Sequence, residues 1–187
     1  FHFFSHLFFI KNGLFENDVS LLFKKPEELI SGLVRGEIDA FSFREPSIIE
    51  AKKLLGDKAV VFAEPGLYLQ TFNLVAFKSF IKDKPETIKR VLRALIQAEE
   101  FAKKYPDKAK KIILNYMGIS ETEMAALWPD IRLKVSLDQS LLITMEDEAR
   151  WAIKSGFMDK KEVPNYLNFI YTDALEEVEP EAVTIIK

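Results

Sequence analysis

Apolar positions recur along the first sixty residues in two rhythms. Over residues 1–12 they fall at helical spacing (Phe4, Leu7, Phe8, Ile10) and stop at Asn12-Gly13, which predicts a helix, dense enough in apolar side chains to be buried. Val19–Phe23, Ile38–Ser42 and Ala59–Phe62 are instead short apolar runs suited to buried strands. Between them, Pro26-Glu27-Glu28 puts a proline and two acids into the first turn of a helix, with Leu29, Ile30, Leu33 and Val34 as its inner face and Gly36 as its end. Pro46–Leu55 reads as the next helix and Gly56-Asp57 as a turn. Strands alternating with helices in this β-α-β-α-β order predict a parallel sheet with right-handed crossovers.

The pattern changes after Phe62. Glu64-Pro65-Gly66 breaks the chain, and Tyr68–Phe77 is an extended, mixed stretch. Helix signals then follow one another. Asp83-Lys84-Pro85-Glu86 combines an N-cap with a proline and an acid, ahead of a face formed by Ile88, Val91, Leu92, Leu95 and Ala98. Pro106-Asp107 opens a helix that ends at Gly118, and Ser120 with Glu123 forms a capping box. Asp138 is placed to cap a long helix with Leu142, Met145, Ala149 and Ile153 inward and Gly156 at its end, and a short helix is expected near Thr172–Glu177. The expected organisation is a β-α-β-α-β segment over 1–62, a hinge over 63–75 and a mainly helical part over 76–187. Thr71–Phe77 is too apolar for a solvated tether.

Composition narrows the chemistry. The 187 residues are 48% hydrophobic and 29% charged, enough for a real core and too apolar for disorder. A net charge of −3, with lysine pairs dispersed along the chain, gives no footprint for a phosphate backbone, so nucleic acid is not an expected partner. There is no cysteine in the sequence, which removes thiolate chemistry, zinc-thiolate sites and disulfides from consideration. No apolar stretch approaches the roughly 20 residues of a membrane-spanning helix. The opening "FHFFSHLFFI" lacks both an initiator methionine and the charged start and cleavage site of a signal peptide, so further chain is expected upstream.

Ligands of parallel α/β sheets sit where strands lead into helix N-termini, and that is where Phe43, Arg44 and Glu45 fall. Glu45 can cap the following helix. Arg44 can pair with Glu45 or hold a ligand carboxylate, sulfonate or phosphate by two parallel hydrogen bonds. Asp39, an acid inside an apolar run, requires a partner: either a ligand or a helix terminus.

His2 and His6 share a helix face, but no third residue is spaced to complete a metal site, and none is expected. Neither a nucleophile elbow nor a phosphate-binding glycine loop occurs. Glu146, Asp147 and Glu148 are consecutive on a helix and point different ways, while Trp128 and Trp151 read as core. The sequence therefore points away from an enzyme, and it calls for no cofactor.

Four stretches in order carry a family resemblance: "GLVRGEIDAFSFREPSIIEAKKLLGDKAVVF", "YLQTFNLVAFKSFIKDKPETIKRVLRALIQAEEFAKKYPDKAKKII", "LDQSLLITMEDEARW" and "ALEEVEPEAVTII". The chain resembles the later two-thirds of the solute-binding proteins of ABC importers, in the subgroup that handles nitrate, sulfonates, taurine and thiamine-precursor pyrimidines. The resemblance implies an α/β, type II periplasmic binding fold of two lobes joined by a hinge, with the first lobe incomplete in this chain. It also implies capture of a small anionic, zwitterionic or heteroaromatic solute by lobe closure, delivery to a membrane permease and a periplasmic or other extracytoplasmic location. On that scheme Phe41, Phe43, Arg44, Glu45, Tyr68 and Asp39 line the ligand site, with Arg44 on a ligand anion and Glu45 on an amine or ring N–H. Alternatives of the same shape are a ligand-sensing domain of a signalling protein and a thiamine-pyrimidine synthesis enzyme. The fungal enzymes of that last type carry a cysteine-rich motif that this chain lacks.

Overall fold

A computed structural model of the chain describes residues 1–186, apart from the side chain of Glu16. The described residues are 59% helical and 1% strand, and they contain no sheet. The chain divides into two compact units, Phe1–Gln70 and Thr71–Lys187.

The first unit holds α1 (His2–Lys11), α2 (Pro26–Val34) and α3 (Ser47–Leu55). Pro26 occupies the first turn of α2, and the Glu28 carboxylate accepts the backbone N–H of Lys25 at 3.1 Å, so the start follows the sequence signal. α2 and α3 pack on each other. Lys11 and Glu64 form an ion pair between α1 and the stretch that follows Phe62. α1 forms where expected, but it is half-covered rather than buried: its flanking Phe1 and its Ile10 are 46% and 56% exposed.

The three apolar runs do not become strands. Val19–Phe23, Ile38–Ser42 and Ala59–Phe62 form neither helix nor strand, with bends at Val19 and Asp39, and no ladder hydrogen bonds join them. A parallel strand is stable when its backbone is paired and both its faces are covered. Here Phe23 and Phe62 stay 77% and 71% exposed. The expectation of an α/β, type II periplasmic binding fold is thus corrected to a helical architecture. The sole strand-like pairing among the described residues is an isolated parallel bridge between Leu137 and Val183.

The second unit contains α4 (Lys78–Asp83), α5 (Pro85–Lys104), α6 (Pro106–Met117), α7 (Glu121–Leu127), α8 (Gln139–Lys154) and α9 (Asp173–Val178). The long α5 packs against α6 and α9, and Ala102, Ala109, Met124, Leu142, Ala149, Leu175 and Ile185 are buried. Alanines at five of the unit's buried positions (102, 109, 149, 174 and 182) let neighbouring backbones approach closely. Lys89 joins α5 to α9 through Glu177 and also bonds Glu86; those carboxylates hold its ammonium pKa above the ordinary lysine value. The bridge at Leu137 and the Ile186 N–H, which donates to Gln139 at 3.0 Å, pin the apolar C-terminal stretch beside the start of α8.

Two capping signals behave as read and two do not. Ser120 Oγ accepts the Glu123 N–H at 3.2 Å while the Glu123 carboxylate accepts the Ser120 N–H at 2.8 Å, a reciprocal box at the start of α7. Gly118 closes α6 in the left-handed region, at φ 67°. Asp83, expected as the cap of α5, is instead the last residue of α4, and Lys84 precedes Pro85. Asp138 does flank α8, but its carboxylate accepts from Ser136 Oγ and Lys134 rather than from the helix.

Glu99 gives this unit a pH-sensitive tie. Burial pushes its carboxyl upward, but hydrogen bonds from Lys103 (2.6 Å) and from the Val135 N–H (2.7 Å) outweigh it and hold the carboxyl below the ordinary glutamate value of 4.5. A lowered folded-state value stabilises the protein above the unfolded value, and that stability disappears as pH falls through the folded one. Melting temperature is therefore expected to drop below pH 4.5. Glu99→Gln is expected to flatten this acid limb and lower the neutral-pH melting temperature. An acid limb of unchanged steepness in the variant would show that Glu99 does not contribute to it.

Candidate functional site

The stretch from Phe41 to Glu45 leads into α3. It has no helical or strand structure up to Arg44, contains a cis Glu45–Pro46 bond, and is closed by the Ser47 N–H donating to the Arg44 carbonyl at 3.2 Å. The turn sends Arg44 and Glu45 to different tasks.

Glu45 Oε2 accepts the backbone N–H of Ile49 at 2.9 Å. This satisfies one of the donors left open in the first turn of α3 and places a negative charge at the positive end of the helix. Arg44 does not pair with Glu45. Its guanidinium lies 6.0 Å from the centre of the Phe43 ring, is solvent-exposed, and forms no ion pair with any described carboxylate.

The first turn of α1 gathers aromatic rings, that of Phe43 among them. Phe1 packs against Phe43 with ring centres 4.7 Å apart, and Phe3 meets Tyr68 edge-on at 5.9 Å. Phe43 and Tyr68, 25 positions apart in sequence, are thereby held at the same end of one helix. His2 contacts the ring of Phe23 at 5.3 Å, and His6 stacks on Phe3 at 6.2 Å, so both imidazoles belong to this aromatic assembly. Among the described residues no three His, Cys, Asp or Glu side chains gather as a metal site would require.

The remaining site residues divide. Phe41 is half-buried on the same stretch as Phe43. Asp39 is exposed rather than enclosed in a strand, so it needs no buried partner. Phe1 and Phe3 were not among the residues expected at the site. Their contribution comes from contacts reaching 42 to 65 positions along the chain, which local spacing does not reveal.

Elsewhere, Glu146 and Asp147 both bond Arg150, at 2.8 and 2.7 Å, as a surface ion-pair cluster. Trp128 lies in the second unit beside a shallow hollow of about 260 Å³ that is also lined by Glu99, Lys103, Ile131 and Leu133.

The physical capacity of the Arg44 region follows from its parts. An exposed guanidinium with no carboxylate on it has planar N–H groups free to donate outward, which suits two parallel hydrogen bonds to a carboxylate or sulfonate. Because the Glu45 carboxylate already occupies the α3 N-terminus, Arg44 rather than the helix end is the group that attracts an anion here. Glu45→Ala is expected to lower the stability of the unliganded chain by about 1 kcal/mol through loss of the cap, measured by urea denaturation. No change in the denaturation midpoint would mean that the cap contributes nothing.

No helix among the described residues is long and apolar enough to cross a membrane. Comparison with curated proteins and with solved structures finds no match. A family model described as NMT1/THI5 like matches residues 8–109, a span that includes α2, α3 and the whole Phe41–Glu45 stretch. That family includes solute-binding proteins of ABC importers. The match covers more than half of the 187 residues, and the chain belongs to the NMT1/THI5-like family.

Proposed function

We propose that this protein is the substrate-binding component of an ABC importer and captures a small anionic, zwitterionic or heteroaromatic solute at the Arg44 site. The observation that carries the reading is the exposed guanidinium of Arg44, held over Phe43 without a described carboxylate partner, in a chain of a family that includes such binders. In this reading the protein performs no chemistry. It holds the solute and presents it to a membrane permease on the outer side of the cytoplasmic membrane, in the periplasm or its equivalent. Arg44 fixes the ligand anion; Phe43, Phe41 and Tyr68 provide apolar walls; Glu45 and Asp39 supply acceptors at the margin.

Binding only to the folded state raises stability by mass action, by about 2.7 kcal/mol at a ligand concentration 100 times Kd. A thermal-shift panel of nitrate, taurine, ethanesulfonate, benzenesulfonate and aminopyrimidines is therefore expected to contain at least one compound that raises the melting temperature by several degrees. A flat response across the whole panel at millimolar concentration would remove the support for solute capture.

A further inference from the structure

We infer that the outer face of α6, together with the end of α5, is a membrane-surface patch: Lys104, Lys108 and Lys111, with Tyr105, Ile112 and Tyr116, settle on a bilayer that carries anionic phospholipid. The inference goes beyond solute capture and uses no residue of the Arg44 site.

Lysines 103 to 111 surround one turn. Lys104 is the last residue of α5, Pro106 is the first of α6, and Tyr105 stands between them. The Nζ atoms of Lys104 and Lys108 lie 5.3 and 5.0 Å from the centre of the Tyr105 ring, so two ammonium groups from different helices gather at one exposed aromatic. Their neighbours are already neutralised: Lys103 bonds Glu99 at 2.6 Å and Lys110 bonds Asp107 at 3.3 Å. Asp107 is the one acid on α6. Lys104, Lys108 and Lys111 are exposed and form no ion pair with any described carboxylate.

The apolar half of the patch lies on the same side of the helix. Ile112 follows Lys108 by four residues and Tyr116 follows Ile112 by four, which puts the three in one row with Lys111 beside it. Ile112 and Tyr116 are 59% and 93% exposed. The opposite side packs inward, with Ala109 buried and Ile113 and Leu114 half-buried. Lysines alone would suit any acidic surface, but rings with a polar tip and an aliphatic side chain set among them suit the headgroup boundary, where ammonium groups meet phosphates and apolar groups enter the acyl region. With 12 residues, α6 is too short to span a bilayer and would lie along it.

The test is co-sedimentation of the 187-residue chain with vesicles of phosphatidylcholine alone and of equal parts phosphatidylcholine and phosphatidylglycerol. Binding to the mixed vesicles is expected at about 0.1 M salt, about tenfold weaker or less on phosphatidylcholine, and lost at about 1 M salt, where the screening length falls to about 3 Å. Lys104→Gln, Lys108→Gln and Lys111→Gln together are expected to weaken it about a hundredfold, at about fivefold for each charge. Ile112→Ser with Tyr116→Ser, which leaves every charge in place, is expected to weaken it about tenfold. The control removes the same charge from exposed lysines elsewhere in the unit, by Lys154→Gln, Lys160→Gln and Lys161→Gln. It is expected to stay within about threefold of the parent, since charges farther than about 10 Å from the lipid are screened. Should the first triple variant fail to fold by circular dichroism, Lys111→Glu alone is expected to cost at least about tenfold by reversing one charge. No sedimentation with the mixed vesicles, equal sedimentation with both kinds, or a control that loses as much as the corner triple would overturn the inference. Soluble polyglutamate binding as tightly as the mixed vesicles, with no effect of the Ile112 and Tyr116 changes, would also overturn it by making the face a seat for an acidic protein.

Discussion

Arg44→Gln is expected to weaken binding of an anionic ligand by about tenfold to a hundredfold while leaving the melting temperature of the unliganded chain within about one degree of the parent. Hydrogen bonds to a charged group contribute about 1.5–3 kcal/mol each way they are lost, and the glutamine amide replaces a charged, planar fork with a neutral one. The unliganded fold has little to lose. The Arg44 guanidinium is exposed, carries no ion pair to a described residue and lies 6.0 Å from the centre of the Phe43 ring, an interaction worth about 0.5–1 kcal/mol at an exposed position. Arg44→Lys should fall between the two, since an ammonium keeps the charge but not the two-pronged geometry. Titration calorimetry on the three proteins, with melts of each in the absence of ligand, separates the effects. Equal affinities for parent and Arg44→Gln would remove Arg44 from the site, and a fall of several degrees without ligand would make it structural.

The largest effect on stability is expected in the second unit, at Met124. Its side chain is 1% exposed, and α7, which carries it, is seven residues long. A helix that short is held by packing rather than by its own hydrogen bonds. Met124→Ala removes buried atoms and leaves a hollow that the neighbours fill only in part, at a cost of about 2–5 kcal/mol. Ile112→Ala on α6 is the control, because Ile112 is largely exposed and its loss should stay within about 0.5 kcal/mol. Urea denaturation followed by far-ultraviolet circular dichroism measures both. Similar midpoints for the two variants would mean that Met124 does not sit in a packed core.

Helix starts were the most legible part of the sequence because each depends on neighbouring residues only. Pro26, Pro85 and Pro106 all occupy first turns, and the Ser120 and Glu123 pair forms its reciprocal box. Strands were misread for the complementary reason. A run such as Val60-Val61-Phe62 states that the chain is apolar but not that another backbone will lie beside it, and here none does. Tyr68–Phe77 conceals a similar limit at its end: the helix Lys78–Asp83 follows immediately, and Asp83 finishes it instead of starting the next.

At the candidate site the sequence singled out the stretch before α3 but left open whether Arg44 pairs with Glu45 or stays free for a ligand. Geometry separates them, giving Glu45 to the Ile49 N–H and Arg44 to the Phe43 ring. Proximity of Phe1 to Phe43 and of Phe3 to Tyr68 depends on how α1 packs within its unit, and no spacing rule carries that information.

The most direct test of the account is a two-dimensional amide spectrum of the isotope-labelled chain during titration with the panel compound that raises the melting temperature most, with the arginine Nε–H signals included. The account expects saturable shifts of the Arg44 Nε–H and of the backbone amides from Phe41 to Glu45. Saturable shifts confined to residues beyond Gln70, with the Arg44 signals unmoved, would contradict it.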